Sequence, residues 1–369
     1  MQSLRAHALH VRALRNLRCV DLAPGPRFNV ISGDNGQGKT SLLEAIYLVA
    51  TTRSFRTSKL SDLVPTADPS STLSVRASLG DGSSVHEQSV GIQNGQRRAR
   101  IDGWKPNTLA VYAARTPVVV FSPSELGVSM GPGSERRKLL DRVALYAGVS
   151  SMGELEAYGR ALRERQRALD VRGSTARDLP DWEALVVQHG LAVMAARRVA
   201  ADRVAEAAQS AFARIAAPGL RARVHYAPSA PAEVEAYLEA LRSSRARDAA
   251  RGSASVGPHR DDLEILLDDA PARRVASQGQ HRALVLALKL AEIEVVSASR
   301  LARPILLLDD VSSELDRERT AALFRLLGEQ EGQVFLTTTR PDLLDDLDRI
   351  EPQTRRDFSI ERGEVIGSS

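Results

Sequence analysis

The eight residues Gly33-Asp34-Asn35-Gly36-Gln37-Gly38-Lys39-Thr40 constrain this chain more than any other stretch. They fit G-x-x-x-x-G-K-[ST] in full, and Ser41 follows. Ahead of them Phe28 to Ile31 reads as a short buried strand. Behind them Leu42, Leu43, Ala45, Ile46 and Val49 recur at helical spacing. A strand, a glycine-rich loop and a helix in that order form a phosphate cradle. The glycines let backbone N–H groups close round phosphate oxygens, and the helix N-terminus favours negative charge. Lys39 is placed to reach the outer phosphates and the Thr40 hydroxyl to hold Mg²⁺. The pattern predicts a nucleoside triphosphate site made of Gly33, Asp34, Asn35, Gly36, Gln37, Gly38, Lys39, Thr40 and Ser41.

A second stretch completes it. Arg303-Pro304 introduces Ile305-Leu306-Leu307-Leu308-Asp309-Asp310, a fully apolar strand that ends in acid. Such a strand is expected parallel to the phosphate-loop strand and beside it. Asp309 is then a Mg²⁺ ligand with Thr40, and Asp310 is placed to orient or activate the attacking water. Ser313-Glu314-Leu315-Asp316 resembles the D-loop of ABC-type ATPases. One helix earlier, Ser277-Gln278-Gly279-Gln280 resembles their L-S-G-G-Q signature, with Ala276 for leucine and Gln278 for the first glycine. The same four residues also suit a helix cap by Ser277. In ABC-type ATPases the signature reaches the nucleotide of a second subunit. That implies an isologous dimer with two sandwiched ATPs, in which Ser277, Gly279 and Gln280 grip the γ-phosphate across the interface.

Around these motifs the chain is split. Residues 4–11, 18–22 and 28–31 read as strands. Segments 72–80, 84–92 and 97–102 alternate between the strong hairpin turns Asp81-Gly82 and Asn94-Gly95. Val118 to Phe121 is a further buried strand. From Ser134 the pattern turns helical, over 134–147, 152–172, 182–215 and 233–251. The two longest helices are expected antiparallel and about 50 Å at most, an arm and not a very long coiled coil. Strands at 263–267, 305–308, 334–336 and a pair within 357–366, with helices at 278–296 and 315–328, close the chain. The fold class expected is α/β, a P-loop NTPase of ABC/SMC head type with an antiparallel β-subdomain and an inserted α-helical arm. The head takes 1–115 and 255–369, and the arm 116–254.

The chain has 369 residues, 43% of them hydrophobic, enough for two or three cores. No run of 18 uncharged apolar residues and no secretory signal is visible, which points to a cytoplasmic protein without a membrane partner. Cys19 is the single cysteine, so no internal disulfide is possible, and its strand-like setting suggests an inert buried thiol. Seven scattered histidines without ligand spacing argue against a protein-only metal site. The net charge of +4 and pI near 9.4 come mainly from arginine and permit nucleic-acid binding. Candidate DNA contacts are Arg53, Arg56 and Lys59 after the first helix, and Arg97, Arg98 and Arg100 in the β-meander. The arm adds Arg136, Arg137, Lys138, Arg160, Arg163, Arg165 and Arg167. No aromatic series interleaves with these cations, so phosphate-backbone contact is favoured over base stacking.

Taken together the residues resemble the RecF family, bacterial recombination mediators related to SMC-type ATPases. The supporting stretches are Gly33 to Lys39 with Leu43-Glu44-Ala45-Ile46-Tyr47, Arg53-Ser54-Phe55-Arg56, and Arg136-Arg137-Lys138-Leu139-Leu140-Asp141. They continue with Gly257-Pro258-His259-Arg260-Asp261-Asp262, the degenerate signature, and Leu308-Asp309-Asp310 with Ser313 to Asp316. The resemblance implies ATP and Mg²⁺ as ligands, ATP-dependent homodimerisation, slow DNA-stimulated hydrolysis, and binding of duplex DNA near single-strand gaps. It also implies RecO and RecR as partners in loading RecA. Asp310 stands where SMC-like relatives usually carry Glu, and its shorter reach suits slow turnover. His259 and Arg260 either line the nucleotide or anchor their turn. Arg15-Asn16 resembles the element that SMC-like heads place near the adenosine, and His281 reads as a polar residue at a helix start.

Two other classes share some of these motifs. A transporter ATP-binding subunit carries a histidine after its last core strand, where here Val334-Phe335-Leu336 runs into Thr337-Thr338-Thr339-Arg340. A nuclease-linked SMC-like ATPase needs acidic residues beyond Asp309 and Asp310, and no such cluster is visible.

Overall fold

The computed structural model describes residues 2–65, 68, 71–148, 150–215, 219–310, 332–339 and 354–368. The D-loop-like Ser313 to Asp316 and the helix expected at 315–328 lie outside these residues. By compactness the chain divides into Met1–Glu125 with Val296–Ser369, and Leu126–Val295.

In the first unit, one sheet orders its strands as Glu364–Ser368, Arg355–Glu361, Phe28–Ser32, Val334–Thr338, Ile305–Leu308 and Val118–Phe121. All neighbours are parallel except the terminal hairpin. Ile305–Leu308, Val334–Thr338 and Val118–Phe121 are buried at every residue, as parallel strands covered on both faces must be. Val334–Thr338 lies between the phosphate-loop strand and the acid-ended strand, so the two are not direct neighbours as the sequence suggested. A buried apolar run carries no information about which parallel strand sits next to it. Val118–Phe121 pairs with Ile305–Leu308, which carries the head past 115 to Glu125, whereas 255–295 group with the helical unit.

The second sheet is antiparallel, ordered Leu17–Leu22, Arg5–Leu14, Leu73–Gly80, Val85–Gln93 and Gln96–Ile101. Its strands alternate buried and exposed residues, the signature of one wet face. Asn94 (φ 50°) and Gly95 (φ 70°) both take the left-handed conformation of a type I′ turn. The same alternation overturns one expectation: Cys19 sits on the wet side of its strand and is exposed. Lys39–Thr51, the phosphate-loop helix, is buried at every position but Thr40. It packs against both sheets, and Leu42, Leu43, Ile46 and Val49 share one core with Leu9, Val75, Ile92, Val120 and Leu307. A helix buried on nearly all sides needs such a sandwich, with its one buried acid, Glu44, paired to cations.

The second unit contains helices Gly133–Ala147, Ser150–Arg172, Leu179–Ile215 and Val234–Arg251. The long pair packs antiparallel, with Tyr158 against Gly190 and Arg165 against Glu183. Arg165 is wholly buried and donates to Glu183, Asp248 and the Leu241 carbonyl at 3.2, 2.9 and 2.9 Å. It ties three helices together, so it is a structural cation and not a surface contact. A strand the sequence reading passed over, Ala222–Ala227, pairs with Asp262–Leu267.

Candidate functional site

The phosphate loop is shaped by close approach. Gly33 has φ +152°, and a Cβ there would lie 2.4 Å from the Ile360 carbonyl oxygen. At Gly38 (φ +121°) it would lie 2.9 Å from Leu17. Only glycine satisfies both the backbone angle and the space. Gly38 is also the N-cap of the phosphate-loop helix and supplies no side-chain cap, and the first turn carries no acid. The helix therefore presents its first N–H groups and positive dipole end to an anion.

Lys39 folds over the loop and donates to the carbonyls of Gly33 (2.6 Å) and Asp34 (2.8 Å). Burial lowers its pKa, opposed by the negative charge of Asp310, Asp309 and Asp34. Thr40 Oγ1 donates to Asp309 Oδ1 at 2.8 Å, uniting two motifs 269 positions apart. The strand between them takes part: Thr337 Oγ1 donates to Asp309 Oδ1 (2.9 Å) and accepts from the Asp310 backbone N–H (2.9 Å). Asp310 takes a left-handed φ of 48°. Burial raises the Asp309 pKa, against the hydrogen bonds from Thr40 and Thr337 and the charge of Arg56. A hydroxyl beside a carboxylate at a phosphate cradle is a hard-oxygen donor set that fits Mg²⁺. Among the described residues no three His, Cys, Asp or Glu side chains cluster to hold a metal by themselves.

Supporting residues hold the loop: Arg15 and Asn16 stand out in the sequence as resembling an element near the adenosine, whereas Arg362 and Gly363 do not. Asn16 Oδ1 accepts from Ser41 Oγ (2.9 Å), and its amide donates to the Gly36 carbonyl (3.1 Å), clasping the loop from the turn after Arg5–Leu14. On the other side Arg362 N–H donates to Gln37 Oε1 (2.6 Å) and Gly363 N–H to Gln37 O (2.9 Å). The C-terminal hairpin thus holds the loop that the N-terminal strand introduces. Behind the helix, Glu44 is fully buried and accepts from Arg15 at both Nε and Nη2, from Ser54 Oγ, and from Arg56 Nη1 at 3.3 Å. This carboxylate fixes the loop after the helix and holds Arg56, whose positive charge opposes the rise in the Asp309 pKa.

Of the candidate DNA contacts, Arg53, Arg56, Lys59, Arg98 and Arg100 are exposed. Arg97 is half-buried and donates to the Thr52 carbonyl at 2.5 Å. In the helical unit, Arg136 is buried on Asp262 (2.6 and 2.9 Å) and Arg137 donates to the Asp261 carbonyl (2.7 Å). Arg136 and Arg165 leave the list of surface cations. Arg160, Arg163 and Arg167 remain exposed.

At the signature, Gln280 N–H donates to Ser277 Oγ (3.3 Å) and Ser277 N–H to Gln280 Oε1 (2.7 Å), a reciprocal capping box opening the helix Gln278–Arg300. Ser277 is exposed, and His281 is buried on Ser129 Oγ at 2.6 Å. His259 anchors its turn: Nε2 donates to the Ala254 carbonyl (3.0 Å), leaving Nδ1 to accept from Tyr158 Oη (2.7 Å). Arg260 is exposed.

A phosphate loop and an acid-ended parallel strand, with an antiparallel sheet packed on the loop's helix, define the class of ABC-type heads of the SMC kind. The chain matches the RecF/RecN/SMC N terminal domain over residues 6–357. It shares its fold with an Smc head domain from Pyrococcus furiosus at 16% identity and a TM-score of 0.55, covering 99% of this chain and 96% of that one. Within that class the chain belongs to the RecF family. It is 40% identical over 347 residues to the DNA replication and repair protein RecF of Anaeromyxobacter sp. (strain Fw109-5), covering 92% of this chain and 93% of that protein. The corresponding protein of Citrifermentans bemidjiense is 35% identical over 365 residues, covering 97% and 98%. A solved structure of the recombination mediator RecF with ATP, in the RecFOR pathway, superposes with a TM-score of 0.87 at 27% identity, covering all of both chains. No helix among the described residues is long and apolar enough to cross a membrane.

Proposed function

We propose that this chain is a DNA replication and repair protein that binds ATP and hydrolyses it slowly, acting in recombinational repair. The observation that carries the reading is the 2.8 Å contact of Thr40 with Asp309 at an uncapped helix N-terminus, with Lys39 folded over the loop. Gly33 to Ser41 hold the phosphates through backbone N–H groups, and Lys39 shifts from the loop carbonyls to the outer phosphates. Thr40 and Asp309 hold Mg²⁺, which when bound neutralises phosphate charge and polarises the γ-phosphoryl group. Thr337 fixes the Asp309 carboxylate and the Asp310 backbone, so that Asp310 orients the attacking water. Arg56, held by Glu44, adds positive charge at the same site.

The exposed Ser277, with Gly279 and Gln280, presents a capped helix start to the γ-phosphate bound by a second copy. Two ATP molecules then join two chains, and loss of the γ-phosphate releases them. Duplex DNA near single-strand gaps is held by Arg53, Lys59, Arg98 and Arg100 through phosphates, Arg56 being engaged at the nucleotide site. RecO and RecR are the partners and RecA loading is the outcome, which places the protein with the chromosome in the cytoplasm.

The test is solution mass with Mg²⁺, with and without ATP, repeated with a short DNA duplex. ATP should convert monomer to dimer and strengthen DNA binding. Ser277→Arg should bind ATP as a monomer and fail to dimerise. A variant that still dimerised would remove the cross-subunit assignment, and absence of DNA binding at modest salt would remove the repair reading.

A further inference from the structure

Trp104 is 80% exposed, the largest exposure among the exposed large hydrophobic residues described. Its backbone is fastened in a tight turn. Ile101 and Trp104 exchange both backbone hydrogen bonds at 2.9 Å across a turn whose Asp102 (φ 49°) and Gly103 (φ 79°) are left-handed. Arg100 Nη1 donates to the Gly103 carbonyl (2.7 Å), and Asp102 accepts from the Glu87 backbone N–H (2.8 Å) and donates its own N–H to the Glu87 carbonyl (2.8 Å). An indole presented to water on a locked turn differs from a side chain left loose at a loop tip.

Its setting is cationic. Gln96–Ile101 ends the antiparallel sheet, and Arg98 and Arg100 share its wet face opposite Gly91 and Ser89, with Lys105 exposed beside Trp104. The two arginines stand roughly 7 Å apart along the strand, close to the spacing of successive phosphates on an extended single strand. Two acids lie nearby and both are engaged, Asp102 with the Glu87 N–H (2.8 Å) and the Glu87 carboxylate with Arg76 (3.7 Å), which leaves the three cations Arg98, Arg100 and Lys105 in excess. Arginines along a sheet edge also oppose the addition of another strand. Charge and geometry therefore favour nucleic acid over a peptide partner.

We propose that Trp104 is a stacking platform for an unpaired base, with Arg98, Arg100 and Lys105 on the adjoining phosphates. It rests on the DNA reading above and refines it: the duplex arm is held by phosphates, and the start of the single strand is recognised by one indole. A stacked base tolerates any sequence, since every base offers a π-face. The sequence offered no aromatic series, and the fold needs only one ring at the edge of a basic sheet.

The chain has two tryptophans. The other, Trp182, is partly buried and donates to Asp178 at 3.1 Å. In a Trp182→Phe protein, emission reports Trp104 alone. Oligothymidylate and a duplex with a single-stranded tail should quench it, whereas a blunt duplex and polyglutamate should not. Trp104→Ala should weaken binding of the tailed duplex about 5- to 150-fold, leave blunt-duplex binding unchanged, and be largely rescued by Trp104→Phe. Unchanged tailed-duplex affinity in Trp104→Ala, or no quenching by oligothymidylate, overturns the proposal. Quenching by polyglutamate overturns it in favour of an acidic protein partner. If the blunt duplex binds while the stacking results fail, only the stacking site is lost; if no DNA binds, the DNA reading fails with it.

Discussion

Glu292 sits on the helix that the signature opens, and its side chain is wholly buried. Arg142 grips it with Nε and Nη2 at 2.7 and 3.1 Å, and Lys289 Nζ donates to it at 2.9 Å. Burial alone would raise the carboxyl pKa; the two cations outweigh burial and hold it at about 2, against an ordinary 4.5. At about 1.36 kcal/mol per pH unit, that gap is worth about 3 kcal/mol. The group is more acidic folded than unfolded, so its contribution is fully present above about pH 4.5. It fades as pH falls from 4.5 toward 2 and vanishes below both values. Glu292→Gln keeps the shape and removes the charge, leaving Arg142 and Lys289 against a neutral amide. Its cost at pH 7 should be about 3–5 kcal/mol, the range for a broken buried pair. The assay is urea unfolding of the native and variant chains between pH 2.5 and 7, followed through Trp182 in a Trp104→Phe background. The difference between the two chains should be largest near neutrality and shrink through pH 4.5. A difference under about 1 kcal/mol, or one flat across pH, would refute the reasoning.

Glu44→Gln should cost about 3 kcal/mol or more by thermal or urea unfolding, because Arg15, Ser54 and Arg56 all donate to that buried carboxylate. It should also weaken ATP binding, which a nucleotide titration at a temperature where the variant is folded will read. Gly38→Ala should abolish ATP binding while far-UV circular dichroism stays native, since φ +121° and the 2.9 Å approach to Leu17 affect only the loop. Asp310→Asn should slow single-turnover hydrolysis about 100-fold or more while the ATP-bound dimer persists; a native rate would remove Asp310 from the water-orienting role.

The phosphate loop, the acid-ended strand, the meander turns and the long helices were legible because each is written in contiguous residues whose spacing reports one local geometry. Gly33, Gly38, Lys39 and Thr40 need no distant partner to declare a cradle. The three-dimensional arrangement decided what depends on residues far apart in the chain. Thr337 reaches Asp309 because Val334–Thr338 lies between two motif strands, an order invisible in apolar runs that look alike. Asn16 and the hairpin at Arg362 and Gly363 clasp the loop from opposite ends of the sequence. Arg165 and Arg98 are the same letter, yet one is sealed on Glu183 and Asp248 and the other faces water. Cys19 lies outward because the strand's pleat puts Val20 in the core. Local spacing determines which elements form. Which side chains meet, and which charges are buried, is set by packing across separations that no local pattern encodes.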